Sequence, residues 1–187
     1  MTEDLKKALS YIAFGALFTL ANINLNFNDL SINIMPDFVG WTLFFLACGK
    51  LGSYLDGKEW LKWLAMTLII LSLALWLGGI FMPSADLSIL SSIASVISAA
   101  YMFILFGSIE QLAKDNGSSR VGTIRYLKYA NLAFSIMLTL LGFIILANGG
   151  TRPSFLAVLF IAIGIAALAC AIVTVVTLFG LRSELTR

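Results

Sequence analysis

The hydrophobic pattern of this chain consists of six runs that contain no charged residue, separated by short charged segments. The runs cover 8–28, 38–49, 63–85, 87–109, 129–151 and 153–181. About 20 apolar residues are needed to cross the roughly 30 Å of hydrocarbon in a bilayer, and four of the runs have 23 residues or more. The pattern predicts an all-α integral membrane protein with six transmembrane helices, at about 5–22, 36–55, 60–82, 86–113, 122–147 and 153–182.

The six predicted helices form one polytopic membrane domain over 1–187, made of three helical hairpins at 1–59, 60–119 and 120–187. A weak threefold repeat is visible, because the three prolines, Pro36, Pro83 and Pro153, each begin an even-numbered helix. Two explanations are open. Either a two-helix hairpin was duplicated, or similar helix boundaries arose independently, since proline suits the first turn of any helix. Hairpins that superpose about a pseudo-threefold axis would support duplication.

The basic residues are distributed asymmetrically over the predicted loops. Eleven of the twelve lie on one side of the six helices, and only Arg152 lies on the other. Short loops rich in lysine and arginine stay in the cytoplasm, so both termini are expected there. The sequence therefore predicts a multi-pass protein of the bacterial cytoplasmic (inner) membrane. Glu110 and Glu184, near the inner helix ends, are expected to form ion pairs with Lys114 and Arg182.

Composition removes several classes of function. Apolar residues make up 60% of the chain and charged residues 12%, and the mean hydropathy is +0.97, which does not suit a soluble domain. There is no histidine, and the two cysteines, Cys48 and Cys170, lie inside predicted helices. We therefore expect no metal site, no cofactor, no disulfide and no enzymatic activity. The net charge of +2 is spread over the inner loops, so we expect lipid headgroups rather than nucleic acid as its partner.

The segment between the first two predicted helices alternates polar and apolar residues, which is the pattern of a strand. We predict a short β-hairpin over the outer mouth of the bundle, with a turn at Asn28-Asp29. It is either a lid whose amides bind a polar solute or an amphipathic cap with its asparagines in water. One face of the hairpin would carry Asn22, Asn24, Asn26 and Asn33. The other would carry Ile23, Leu25, Phe27, Ile32 and Ile34.

Asp37 follows Pro36 in the first turn of the second predicted helix. An acidic residue there complements the helix dipole. The alternative is that Asp37 contacts a cationic or amine solute or pairs with Arg152, because charge inside a membrane is usually functional. Only 13 residues separate Pro36 from Gly49, a length of about 20 Å. Either Asp37 lies well below the outer surface, or the helix runs on past Lys50, whose side chain reaches the headgroups.

Small residues recur at helical spacing in two of the predicted helices. Packing between close helix backbones is the favoured interpretation of both sets, and a serine-lined solute path is the alternative for helix 4. The set in helix 4 is Ser88, Ser91, Ser92, Ser95 and Ser98. The set in helix 6 is Ala162, Ala166, Cys170 and Thr174.

The stretch Ile34-Met35-Pro36-Asp37-Phe38-Val39-Gly40-Trp41, followed by Gly49-Lys50-Leu51, resembles a group of small, uncharacterised bacterial membrane proteins with a Pro-Asp-Phe-[Ile/Val]-Gly motif. The chain is also similar in architecture to the S components of energy-coupling factor transporters. That resemblance implies six helices with cytoplasmic termini and a lid over a vitamin-sized ligand. Those components dock through an Ala-x-x-x-Ala face on helix 1. No two of Ala8, Ala13, Ala16 and Ala21 have that spacing here.

Our functional hypothesis is a small-solute-binding transport subunit or small transporter, with its ligand near the outer half of the bundle. Its partners would be the lipid bilayer, a small polar solute and a membrane partner subunit that supplies energy. The alternative is a non-transporting membrane scaffold, assembly factor or lipid-associated sensor, which a closed core without a pocket would favour. The candidate ligand-binding residues are Asn22, Asn24, Asn26, Asn33, Asp37 and Trp41.

Overall fold

The computed structural model describes residues 3–20, 24–27, 30–33, 36–54, 57, 59–81, 87–147 and 154–185. Within these residues the chain forms six helices, which confirms the predicted number and, closely, the predicted boundaries. The helices are α1 (Glu3–Leu20), α2 (Asp37–Leu51), α3 (Trp60–Phe81), α4 (Ser88–Asp115), α5 (Val121–Ala147) and α6 (Ser154–Glu184). The second helix is shorter than predicted, because it ends at Leu51 and continues as a 3₁₀ turn over Gly52–Tyr54.

The six helices form a closed ring. Each helix packs against the next one along the chain, and α6 packs against α1. Ion pairs between Asp4 and Lys50 and between Glu110 and Arg125 join the start of one helix to the end of its neighbour. The starts of α1, α3 and α5 therefore lie with the ends of α2, α4 and α6. We call this the basic end of the ring.

The buried apolar core fills the half of the ring nearest the basic end. In α1 and α2 it includes Leu9, Ile12 and Phe44, and in α4 it includes Tyr101 and Leu105. Alanines on α1 let this helix approach its neighbours closely. The buried alanines of α1 are Ala8, Ala13 and Ala16. The other half of the ring contains a cavity instead of packed side chains.

The outside of the ring is apolar. Three helical segments are long and apolar enough to cross a membrane, judged over the described residues: Trp60–Phe81, Ile89–Asp115 and Ile161–Glu184. Large apolar side chains on them point outward, and Phe81 is 74% exposed. A continuous apolar exterior of this size is unusual in soluble proteins and matches a lipid-facing surface.

Two short strands, β1 (Asn24–Phe27) and β2 (Leu30–Asn33), connect α1 to α2 and pair antiparallel. The register pairs Asn24 with Asn33 and Leu25 with Ile32, so polar residues lie opposite polar ones, as the alternation predicts. β2 lies next to α3. The predicted turn at Asn28-Asp29 lies outside the described residues. The predicted face residues Asn22, Ile23 and Ile34 lie outside them as well.

The packing predicted for the small residues of α6 holds only for half of the set. Cys170 and Thr174 are buried, whereas Ala162 and Ala166 are exposed. The difference follows from the ring, which is tightly packed near the basic end and open at the other end. Both cysteines are buried free thiols, Cys170 in α6 and Cys48 in α2. The threefold repeat and the six membrane crossings stay predictions.

Candidate functional site: a hydroxyl-lined cavity

A cavity of about 450 Å³ lies inside the ring and is bounded by residues of all six helices. Sites for small molecules measure roughly 300–1,000 Å³, so this cavity has the size of a site for a small solute. Its walls carry hydroxyl groups, several apolar side chains and one carboxylate. We call it the hydroxyl cavity, and it is lined by Thr19, Asp37, Trp41, Leu68, Ser72, Leu75, Ser91, Ser92, Ala94, Ser95, Ser98, Ser135, Leu138, Thr139 and Ala167.

The hydroxyl cavity lies toward the end of the ring opposite the basic end. Thr19 is in the last turn of α1, Asp37 is in the first turn of α2, and Ser91 is in the first turn of α4. On α5 the lining residues lie in the second half of the helix, and on α3 they lie in its middle, from Leu68 to Leu75. The helix order therefore brings one short stretch of each helix to the same level.

Four hydroxyl groups of the wall donate their hydrogen atoms to the backbone. Thr19 donates to the carbonyl oxygen of Gly15 at 3.1 Å, and Ser95 donates to that of Ser91 at 2.9 Å. Ser72 and Thr139 donate in the same way to the carbonyls four residues earlier. A hydroxyl that donates to the backbone keeps its acceptor lone pairs. These four hydroxyls therefore offer hydrogen-bond acceptors to a solute.

Asp37 adds a carboxylate to this wall. Its Oδ1 atom is buried and accepts no hydrogen bond from any residue that the structure describes. Buried polar atoms without a partner are uncommon in proteins and call for an explanation. The position in the first turn of α2 lets the helix dipole stabilise a negative charge, but Oδ1 accepts none of the free amide hydrogens there. Arg152, the partner considered from sequence, lies outside the described residues.

Gly40 allows α2 to cross α1 at very short distance. A Cβ atom on Gly40 would lie 2.6 Å from Cγ2 of Thr19 and 2.8 Å from the carbonyl oxygen of Gly15. No residue with a side chain fits at position 40 without moving one of the helices. Because Asp37 lies one turn before Gly40 and Trp41 follows it, the same crossing brings both residues to the cavity. This explains the Pro-Asp-x-x-Gly-Trp spacing in physical terms.

Trp41 closes the cavity on the side of the basic end. It lines the cavity and packs against Phe44 and Tyr101, with 5.3 Å between ring centroids in both pairs. Phe44 and Tyr101 also contact each other at 5.7 Å, and the Tyr101 hydroxyl lies 3.2 Å from Sγ of Cys48. Offset and edge-to-face aromatic contacts of this kind are favourable and geometrically specific. They give the cavity a rigid floor.

The sequence predictions identify part of this site. Asp37 and Trp41 both line the cavity. Of the serine set on helix 4, Ser91, Ser92, Ser95 and Ser98 line it too, which is the arrangement that the solute-path alternative required. For Asn24, Asn26 and Asn33 the structure describes the pairing of the backbone, and Asn22 lies outside the described residues.

Four hydroxyl residues of the cavity were not predicted from the sequence. They come from α1, α3 and α5. Only the pair on α5 has a recognisable signal, which is its four-residue spacing on one helix face. The four residues are Thr19, Ser72, Ser135 and Thr139.

Ion pairs at the basic end are confirmed, but their predicted partners are wrong. Glu110 binds Arg125 and Lys128, each at 2.6 Å, instead of Lys114. Glu184 binds Arg120 at 2.9 Å instead of Arg182, and it also accepts hydrogen bonds from Ser118 and Ser119. The reason is that packing brings residues of a neighbouring segment closer to each glutamate than the basic residue of its own helix. These pairs join α4 to α5 and α6 to the loop before α5.

Two acids at the start of α1 are electrostatically perturbed. The hydrogen bond and the charge of Lys50 hold the pKa of Asp4 below its ordinary value, and those of Lys7 do the same for Glu3. Both acids are exposed, and exposed ion pairs contribute little to stability. The pair of Asp4 with Lys50 joins the start of α1 to the end of α2, whereas the pair of Glu3 with Lys7 lies within α1.

Comparison of the chain with family models, with curated proteins and with solved structures finds no match. The resemblance to small bacterial membrane proteins and the similarity to transporter S components therefore stay predictions. The features of the molecule that bear on function are the hydroxyl cavity and the apolar outside of the ring.

Proposed function

We propose that this chain is a membrane protein that binds a small polar solute in the hydroxyl cavity, as a transport subunit or a small transporter. The observation that carries the proposal is a cavity of about 450 Å³ that receives residues from all six helices. A protein that served only as a scaffold would gain stability by filling such a space, because empty cavities cost free energy. The polar wall also argues against a packing role, since apolar residues pack a membrane core without unpaired polar atoms.

The surface supports the placement of the basic end at the cytoplasmic face. Trp63 and Tyr126 are 69% and 72% exposed there, beside the lysines and arginines of the loops. Aromatic residues of this type gather where the bilayer meets water, and basic loops stay inside. The proposed arrangement has six membrane crossings in a bacterial cytoplasmic membrane, with both termini in the cytoplasm. A reporter at the C-terminus that is active only outside the cytoplasm would contradict it.

This arrangement places Asp37 within the hydrocarbon layer. Asp37 and Lys50 are 13 residues apart on α2, which is about 20 Å along the helix axis. The hydrocarbon layer is roughly 30 Å thick, so with Lys50 at one boundary Asp37 does not reach the other. Solute bound at Asp37 would then lie at the depth of the hydrocarbon layer.

The direct test is thermal unfolding of the purified full chain in the presence of a panel of vitamins and polar metabolites. Binding is expected to raise the unfolding temperature for at least one compound, because a ligand of the folded state stabilises it. Ala94→Leu, which places a larger side chain in the cavity wall, should abolish the shift. Ala100→Leu is the matched control, since Ala100 is an exposed residue of the same helix. Unchanged unfolding temperatures with every compound would refute the proposal and favour a scaffold, assembly factor or sensor.

Transport requires a second experiment. Asp37 is the one ionisable side chain among the described lining residues, so the wall offers no relay of proton-carrying groups. We expect the energy to come from a solute gradient or from a partner subunit. Vesicles that contain only this chain should take up the bound solute down its gradient if the chain is a transporter. Binding without uptake would identify a transport subunit that needs its partner.

A further inference from the structure

We infer that the solute of the hydroxyl cavity carries a small organic ammonium group and that Asp37 is its counter-charge. The inference rests on the proposed function and names the chemical class of the solute. It follows from the charge of the wall, from the hydrogen-bonding capacity of the wall and from the apolar residues beside Asp37.

The charge of the wall favours a cation. Asp37 is an acid, and the described lining residues include no lysine and no arginine. One oxygen of the Asp37 carboxylate is buried and has no hydrogen-bond partner among the described residues, which is costly, and a cation that reaches it offsets this cost. An anionic solute would meet the same carboxylate as a like charge. Among solutes of similar size, a cation therefore gains the most from this wall.

The hydrogen-bonding capacity of the wall points to a solute rich in donors. Within the described part of the chain, Oδ1 of Asp37 accepts no hydrogen bond. The hydroxyls of four wall residues have donated their hydrogens to helix carbonyls: Thr19, Ser72, Ser95 and Thr139. All of these oxygens retain acceptor capacity. A primary ammonium group has three donors and no acceptor, which complements them.

The remaining lining residues favour an organic cation over a metal ion. Leu68, Leu75 and Leu138 supply an apolar part of the wall, and Trp41 supplies an aromatic ring. An ammonium group near an aromatic ring gains a cation–π attraction. A metal ion needs a compact shell of several oxygen ligands, and the described residues contain no group of three or more metal-ligating acids, histidines or cysteines. An organic chain beside the ammonium group would bury apolar surface against the leucines.

The test compares charged compounds with neutral compounds of the same shape on unchanged protein. Ethanolamine with ethylene glycol is the first pair, in which the ammonium group has three N–H donors. Choline with 3,3-dimethylbutan-1-ol is the second pair, in which the ammonium group has no N–H and supplies charge alone. Glycolate serves as an anionic compound. The purified full chain is kept in phosphate buffer without amines, and binding is followed by calorimetry and by thermal unfolding. Hydrogen bonds that involve charged groups contribute about 1.5–3 kcal/mol. We therefore expect at least one ammonium compound to bind about tenfold or more tightly than its neutral counterpart.

Variants assign the preference to Asp37. Asp37→Asn keeps the shape of the side chain and should remove the preference for the charged member of each pair. Asp37→Glu should retain a preference for cations. Asp115→Asn is the control, because Asp115 is an exposed acid at the basic end of α4 and its loss should change nothing. The comparison on unchanged protein remains decisive even if Asp37→Asn does not fold.

The outcomes separate this inference from the proposed function. Equal or tighter binding of neutral polar compounds would overturn the ammonium assignment and leave solute binding intact. A cation preference that persists in Asp37→Asn would overturn the role of Asp37. Stabilisation by sodium or potassium chloride alone would show an inorganic cation site, which also contradicts the inference. If neither these pairs nor the wider metabolite panel yields a ligand of any charge, the proposed function fails as well.

Discussion

Substitution of Gly40 by alanine tests the helix crossing that positions the cavity residues. A Cβ atom there would lie 2.6 Å from Cγ2 of Thr19 and 2.8 Å from the carbonyl oxygen of Gly15. Both distances are too short for real contacts, and the second involves backbone, which moves only with its helix. Overpacking of this kind costs about 1–3 kcal/mol. We expect Gly40→Ala to lower the unfolding temperature and to weaken solute binding, because α2 must move away from α1.

Gly49 provides the matched control on the same helix. A Cβ atom on Gly49 would meet nothing within 4 Å, and the residue is exposed. Replacement of a helical glycine by alanine stabilises a helix by about 0.5–1 kcal/mol when no clash opposes it. This gain is common to both variants, so the difference between them isolates the steric cost. We expect Gly49→Ala to be slightly more stable than the parent and Gly40→Ala to be about 1–3 kcal/mol less stable than Gly49→Ala.

A double variant identifies the atoms that clash. Thr19→Ser removes Cγ2 and keeps the hydroxyl that donates to Gly15. Combined with Gly40→Ala, it should recover part of the lost stability, and the contact with the Gly15 carbonyl should keep the recovery incomplete. Neighbouring sites of this kind interact by about 0.5–3 kcal/mol. Unfolding in detergent by heat and by denaturant measures these differences. Equal stability of Gly40→Ala and Gly49→Ala, or a cost that Thr19→Ser does not change, would refute the proposed crossing.

Two further predictions concern the floor of the cavity and the basic end. Trp41→Ala should lower the free energy of unfolding by about 3–5 kcal/mol, as for other buried aromatic residues, and should abolish solute binding. The control is Trp63→Ala at an exposed position, which should change stability by about 0.5 kcal/mol or less. Similar melting curves for the two variants would argue against an aromatic floor. Glu110→Gln should cost about 1–3 kcal/mol, because it leaves the Lys128 ammonium, in a side chain only 12% exposed, without its carboxylate. Adding Lys128→Met should restore most of that loss, and a double variant that is less stable than Glu110→Gln would contradict the ion-pair explanation.

The positions of the helices could be predicted from the sequence because lipid imposes a simple requirement. Backbone groups cannot remain unpaired in hydrocarbon, so long uncharged runs must become helices. The predicted helices 60–82 and 122–147 agree closely with Trp60–Phe81 and Val121–Ala147. Strict alternation likewise predicted the paired strands between α1 and α2, since period two places polar residues opposite polar ones in the observed register.

The contribution of Ser72 to the cavity could not be predicted, because α3 has no polar face. A helix without a polar face gives no signal for the direction in which each side chain points. Ser72 lies among apolar residues on α3, and only the ring of helices reveals that it faces Ser95 and Thr139 across one space. The partners of Glu110 were missed for a related reason, because Lys114 is close in sequence whereas Arg125 is close in space.

The start of α2 sets the position of Asp37 in the ring. α2 has 15 residues and is about 22 Å long, whereas α4 has 28 residues and is about 42 Å long. The pair of Asp4 with Lys50 places the end of α2 at the basic end. Gly40 of α2 lies against Thr19, so α2 begins close to the level at which α1 ends. Asp37, in the first turn of α2, therefore lies in the wall of the cavity. A shift of the start of α2 by one turn would move the carboxylate away from this wall, which makes the start of this helix a determinant of solute binding.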